Sequence, residues 1–338
     1  MALIIADPSV PFNETHAAVY TIAAAQMPPR DFAALSQRQP LLMQSQEVFK
    51  KILRYYEIKP AYILIARAFH ALGFNLVSAT YLPSIVSYFF IGCLLFVWLQ
   101  KMLDIQFAAL ATLMIAGCPF LITPARYSSP DMLCAAISFA GLFFISEISV
   151  AVGLILCLLA IPIRPDIGIL FICLIPAIYI GKKLTLNKAL TFGAMVMAGT
   201  LLVLGNLELL KEFLFTIPSY SSSWNNSEMI KNYGTGLRSG LNSIVNSNTF
   251  ILSFLAITTL YLNSKQNQKI LLDFWSLLTI GALATFMVRF LLHPIIEDRF
   301  QVPAYLIIII GFCKYIGNQG PMNKARIIIP ELKNSARY

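Results

Sequence analysis

Charge is what this sequence has least of. Lys, Arg, Asp and Glu together make up 12% of its 338 residues, while hydrophobic residues make up 58%. Soluble domains carry roughly 25% charged residues, so the chain has too little polar surface to enclose itself in water. Histidine is scarce, and His16, His70 and His293 stand at no metal-ligand spacing. The six cysteines include no CxxC pair and all lie within apolar stretches. That argues against a disulfide framework or a metal centre and reads as small apolar packing. No internal repeat and no low-complexity tract is visible. Residues 1–6 are apolar but lack a basic start or a spacer, so they do not read as a cleavable signal.

Long apolar runs are what the chain has instead, and its mean hydropathy is +0.72. A spanning helix takes about 20 mostly apolar residues, and about nine runs approach that length. They fall at 81–99, 107–123, 132–147, 150–163, 167–180, 190–206, 250–262, 272–292 and 302–312. The fold class predicted is an all-α polytopic membrane protein with extracytoplasmic loops. Only Ile163-Arg164-Pro165-Asp166 separates the fourth run from the fifth, which fits a tight hairpin. Two polar stretches exceed ordinary connector length. One runs over 7–79, with helical signals at 14–26 and 46–56; the other, 207–248, is rich in Ser, Asn and Tyr. The expected organisation is a first extracytoplasmic loop with juxtamembrane helices over 1–79, six membrane helices over 80–206, and an extracytoplasmic loop over 207–248. Three more membrane helices follow over 249–313, then a cytoplasmic tail over 314–338. A competing topology makes 61–79 a span, but Arg67 and His70 would then sit in hydrocarbon at high cost.

The net charge of +9 would point to nucleic acid in a soluble protein. Here the basic residues fall mostly between apolar runs, as membrane topology requires, and no nucleic-acid partner is expected. With Lys182, Lys183 and Lys188 placed in the cytoplasm, about 11 basic residues gather on that side against about 6 opposite, the long first loop left out of the count. The outer face then holds Glu14, Asp131, Asp166, Glu297 and Asp298 together with Arg126, Arg164 and Arg299. Arginines can grip a phosphate through charged, bidentate hydrogen bonds. A carboxylate can take the proton of an acceptor hydroxyl attacking a sugar's anomeric carbon. Each residue also has a purely structural reading. Ser128-Ser129-Pro130-Asp131 and Arg164-Pro165-Asp166 have the grammar of helix starts. Arg289, near the end of an apolar run, suits snorkelling to the interface, and Trp98 and Trp275 suit lipid-facing or interfacial positions.

The order of these segments resembles the GT-C class of membrane glycosyltransferases. Lys59-Pro60-Ala61-Tyr62-Ile63-Leu64 resembles that class's KPPLYY segment, and Gly73-Phe74-Asn75 to Tyr81-Leu82-Pro83-Ser84 resembles its continuation. Arg126 to Asp131 resembles the R-x-x-x-P-D loop. Glu297-Asp298-Arg299-Phe300-Gln301-Val302-Pro303 resembles the late RY-x-x-P loop, and Phe12-Asn13-Glu14-Thr15-His16 the acidic first-loop motif. The branch it looks like contains protein O-mannosyltransferases and lipid A aminoarabinose transferases. The resemblance implies a GT-C-like bundle in the cell inner (plasma) membrane and a polyprenyl-phosphate sugar donor. The implied acceptor is an envelope glycolipid such as lipopolysaccharide, a glycan or a protein. Inverting transfer at the extracytoplasmic face is implied, with no metal and no other cofactor. By that resemblance Glu14 and Asp131 are the catalytic candidates. Arg126, Arg299, Arg164 and Lys59 are candidates for the donor phosphate, with Asp7, Asp166, Glu297, Asp298 and Arg289 in reserve. The motif's aspartate is Asn13 here, so the base is expected to be Glu14 or Asp7 upstream; without either, the chain uses Asp131 or is inactive. The class also places a spanning helix before this loop, so the expectation is either that translation starts upstream of Met1 or that the gene is truncated. Aromatic faces can bind sugars, so Tyr220, Trp224 and Tyr233 within 207–248 read as acceptor-facing, with a disordered linker as the other reading of that stretch. A lipid-linked glycan transporter or flippase, and a catalytically inactive GT-C-like protein, are the alternative functions.

Overall fold

The structure is a computed structural model, and it describes residues 59–182, 184–204, 226–245, 247–266, 273–292 and 297–319. Asp7, Glu14, the helical signals at 14–26 and 46–56, Tyr220 and Trp224 lie outside the described residues. The described residues form 12 helices and no strand. In chain order these are α1 (Pro60–Ala71), α2 (Leu76–Leu99), α3 (Ile105–Ala116), α4 (Pro119–Ala125), α5 (Asp131–Glu147), α6 (Val150–Ala160), α7 (Ile167–Gly181), α8 (Leu186–Leu204), α9 (Asn226–Val245), α10 (Asn248–Gln266), α11 (Phe274–Leu292) and α12 (Asp298–Gln319).

Local chemistry sets several of these boundaries. Pro60 opens α1, where its missing N–H costs nothing. Gly73 ends that helix with φ +95°, a backbone region that favours glycine. Asn75 then caps α2, its side chain accepting from the Ser78 N–H at 2.8 Å. Residues 61–79 are therefore two helices meeting at a break, not one span. Asp273 likewise receives the Ser276 N–H at 2.7 Å at the start of α11.

Three helical stretches, Ser78–Leu99, Phe274–Leu292 and Asp298–Gly317, are long and apolar enough to cross a membrane. The run at 107–123 is not straight: α3 and α4 meet at an angle of 58°, at Gly117-Cys118 and just ahead of Pro119. Counted as one span, this pair makes a fourth. Each remaining apolar run falls on a helix, but α6 has only 11 residues and α7 has 15. At 1.5 Å per residue, α6 rises about 16 Å, half of the roughly 30 Å of hydrocarbon.

At the centre lie α5 and α12. α5 is apolar and buried on almost every side, packed by α2, α4, α6 and α12. α12 is buried continuously from Gln301 to Gly311 and contacts α4, α5, α10 and α11. The tightest crossing is α5 on α6. A Cβ added to Gly153 would lie 2.5 Å from the Gly141 carbonyl oxygen, so only glycine lets the backbones approach this closely. Small residues serve this purpose where apolar helices meet without a hydrophobic driving force.

Several expectations are corrected here. α6 and α7 do not pair as a hairpin: α6 packs on α5, and α7 on α11 and α8. The stretch 207–248 is not loop throughout, since α9 occupies its second half. Its turn-like Ser, Asn and Gly residues conceal an amphipathic spacing, with Tyr233, Gly236, Leu237, Gly240 and Ile244 on the packed side. Trp98 is 2% exposed rather than lipid-facing, and it packs against Phe139, Phe143 and Trp275. α12 runs six residues beyond 313, into the expected tail.

Helix ends collect at two poles. At one, Lys101 pairs with Glu147 at 3.0 Å, the Trp98 indole donates to Glu147 at 3.3 Å, and the Lys182 ammonium donates to the Ser146 carbonyl at 2.8 Å. At the other meet the starts of α1, α5 and α12, the bend between α6 and α7, and the end of α11.

Candidate functional site

Asp131 begins α5, where a carboxylate favours the positive end of the helix dipole. It is not an N-cap: Pro130 holds that position, with no side-chain cap bond. One carboxylate oxygen, Oδ1, receives Nη1 of Arg164. The other, Oδ2, receives the Ser129 hydroxyl at 3.0 Å and lies 3.8 Å from Arg299 Nε. The loop before it is tied to α2, with the Ser84 hydroxyl 2.8 and 3.0 Å from the carbonyls of Tyr127 and Ser129. The Ser128 hydroxyl donates to Thr80 at 2.6 Å.

Arg164 and Asp166 sit at the bend between α6 and α7, and both are buried. Arg164 grips Asp166 with Nε at 2.7 Å and Nη2 at 2.5 Å, a bidentate pair. Arg289, on the last turn of α11, donates Nη2 to the same carboxylate at 2.6 Å and to the Asp166 carbonyl at 3.1 Å. Its Nη1 donates to the carbonyl of Phe300. Arg289 is thus a buried cross-link and does not snorkel. Among the described residues four buried side-chain atoms lack a hydrogen-bond partner, and Arg289 Nε and Gln301 Oε1 are two of them.

Burial opposes the charge on Asp166, but Arg164 and Arg289 outweigh it and hold its carboxyl below the usual range. Burial also opposes the charge on Arg164, and Asp166 and Asp131 more than offset it. Lys59 precedes α1, whose Ala61 N–H donates to the Pro162 carbonyl at 3.1 Å, so it starts beside this bend. Burial is the main cause that lowers its pKa to about 8; Arg164 and Arg299 act the same way, Asp131 and Asp166 against it.

The rim of the site is Arg299 and Glu297. Arg299 is 30% exposed and donates its Nε to Glu297, itself 39% exposed. Two of the predicted residues stand apart. Arg126 ends α4, exposed and with no ion pair to a described residue. Asp298 turns to other partners, receiving the Tyr305 hydroxyl and the Asn248 amide, each at 2.6 Å.

Residue-by-residue reading of the sequence missed Phe300. Its ring centroid lies 4.1 Å from the Arg164 guanidinium carbon and 4.6 Å from that of Arg299. Tyr127 was missed too, with its ring 6.0 Å from Arg299. The one signal available was an aromatic residue next to an arginine in a loop already of interest.

Among the described residues no cluster of metal-ligating side chains is present. The site therefore offers a buried charge network whose carboxylates are all engaged, and a half-exposed arginine at its edge. Set against known protein families, curated proteins and solved structures, the chain matches none of them.

Proposed function

We propose that the chain is a multi-pass membrane glycosyltransferase that takes a sugar from a polyprenyl-phosphate donor. The observation that carries this reading is the meeting of Asp131, Arg164, Asp166, Arg289, Arg299 and Glu297 at one pole of an apolar helical bundle. These residues come from segments up to 168 positions apart. In this reading the pole lies at the extracytoplasmic interface and the nine apolar runs complete the bundle. Its three arginines balance its three carboxylates, and Lys59 adds the positive charge in excess, the sign that suits an anionic leaving group.

The acceptor's hydroxyl oxygen attacks the anomeric carbon. The bond from that carbon to the phosphate oxygen breaks, leaving its electron pair on the prenyl phosphate, and the hydroxyl proton passes to a carboxylate. Glu14 takes the proton. Asp131, with both oxygens engaged, instead holds Arg164 and Arg299 in register. Arg299 and Lys59 receive the phosphate, with Arg126 at the periphery. The acceptor is an envelope glycolipid, a glycan or a protein.

One observation favours a second reading. Every described carboxylate at this pole already has a partner, so the network also suits a non-catalytic clamp. Mass spectrometry of envelope lipids and glycans, with and without the gene, separates the two. Loss of a single hexose or pentose supports transfer and identifies donor and acceptor together; an unchanged glycan profile rejects transfer.

A further inference from the structure

The two guanidiniums flanking Phe300 are in opposite situations. Arg164 is buried and anchored, with hydrogen bonds from Nε, Nη1 and Nη2 to Asp166 and Asp131. Arg299 donates only Nε to a described residue, Glu297, and its Nη1 and Nη2 have no described partner. It is 30% exposed. Of the arginines in the network, it alone presents a free fork of donors, the shape that fits two phosphate oxygens at once.

A free fork on a flexible side chain needs something to fix its plane. Arg164 and Arg299 carry like charges beside one ring, and they repel. Arg164 cannot yield, so without a restraint Arg299 would turn away or fold onto Asp131, whose Oδ2 is only 3.8 Å from Nε. Glu297 holds Nε, and the restraint on the rest of the guanidinium is the face of Phe300, whose quadrupole attracts both cations. The main chain that carries the ring is held in place, because the Phe300 N–H donates to the Glu297 carbonyl at 3.0 Å and the Phe300 carbonyl receives Arg289.

We infer that Phe300 is a positioning residue whose aromatic face, wedged against the fixed Arg164, holds the Arg299 fork open for a phosphate oxyanion. This rests on the proposed function, in which that oxyanion belongs to the prenyl-phosphate donor.

The test replaces Phe300 in the full chain with 4-fluoro-, 3,5-difluoro- and 3,4,5-trifluorophenylalanine. Fluorine drains the ring's negative face while leaving its shape almost unchanged, so folding is preserved. Binding of polyprenyl monophosphate to the purified protein in detergent is the readout, with Arg299→Ala as reference. The dissociation constant is expected to rise stepwise with fluorination, about three- to thirty-fold over the series, as loss of a cation–π contact implies. Phe300→Tyr should bind like the parent and Phe300→Leu like the trifluoro protein. A flat series, with Arg299→Ala still weakening binding, overturns the role of Phe300 and leaves the functional reading standing. A parent protein that does not bind polyprenyl monophosphate overturns both.

Discussion

Arg289 and Asp166 lie 123 positions apart in the chain and 2.6 Å apart in the fold. The contact ties the end of α11 to the start of α7, two helices packed along their length. Asp166 also holds Arg164, so one carboxylate balances two guanidiniums, while Asp131 takes the remaining charge of Arg164. Geometry of this kind is costly to assemble, since burying each ion forfeits its hydration. Removing one member is costlier still, because the partner's charge is left behind.

The first prediction concerns Arg289→Met. Asp166 keeps Arg164, so the loss should fall at the low end for breaking a buried pair, about 3 kcal/mol. Thermal unfolding in detergent measures it. Arg289→Lys should recover part of the loss, because an ammonium reaches the carboxylate but cannot also hold the Phe300 carbonyl. Parental stability in the Met variant would show that the cross-link carries little of the fold.

Asp131→Asn and Arg299→Ala form the second prediction. Asparagine keeps the shape of Asp131 but removes the charge lying between Arg164 and Arg299. Both variants should still insert into membranes and should lose sugar transfer to the background of gene-deleted cells. Parental transfer in both would remove this pole as the active site.

How much of this was legible in the sequence follows from what each feature depends on. Apolar runs set helix positions directly, so every expected run contains a helix. Their pairing was hidden, because Ile163-Arg164-Pro165-Asp166 looks like a hairpin turn whether or not its flanking helices pack together. Asp131, Arg164, Asp166 and Arg289 were found because charges are rare and conspicuous in such a chain. Sidedness grouped Arg126 and Asp298 with them, but sidedness does not set direction. Asp298 is one residue from Arg299 yet faces Tyr305 on α12. Phe300 is one of 24 phenylalanines, and nothing local distinguishes a ring under guanidiniums from a ring in the core.

Lys59 sets the third prediction, a pH dependence. Its pKa is lowered from 10.5 to about 8. It is charged below that value and neutral above, so polyprenyl monophosphate binding should weaken as pH rises from 7 to 9. Lys59→Met should flatten this limb. Stability moves the other way. Between about 8 and 10.5 the unfolded chain binds more protons than the folded one, so this group's contribution to stability rises with pH across that window. At the acid end Asp166, with its pKa depressed, stabilises the fold above its ordinary value of 3.8 and ceases to do so as pH falls through its folded pKa.

The fourth prediction tests whether α5 and α6 together carry the site. Gly153→Ala places a Cβ 2.5 Å from the Gly141 carbonyl and equally close to the Ile145 side chain. Backbone oxygen cannot move aside cheaply, so the helices must separate, at about 1–3 kcal/mol for an overpacked contact. α5 carries Asp131 and α6 leads into Arg164, so the same change should weaken transfer without touching the charged residues. Thermal unfolding and transfer measured on one preparation check both effects.

The last prediction concerns which pole faces outward. Arg126 and Lys188 are both exposed. Arg126 precedes the loop of the candidate site, and Lys188 opens α8 just after Lys182 at the opposite pole. In a cysteine-free background, a membrane-impermeant maleimide should label Arg126→Cys on intact cells and Lys188→Cys only after permeabilisation. Polyprenyl-phosphate sugars used for envelope assembly are consumed outside the cytoplasm in the proposed reaction, so that reaction requires this pattern. The reverse pattern would keep the charge network but put it on the wrong side for the donor. Labelling of both positions from outside would mean that the two poles do not lie on opposite faces of the membrane, and the reading of α5, α6 and α7 as membrane-crossing helices would fail with it.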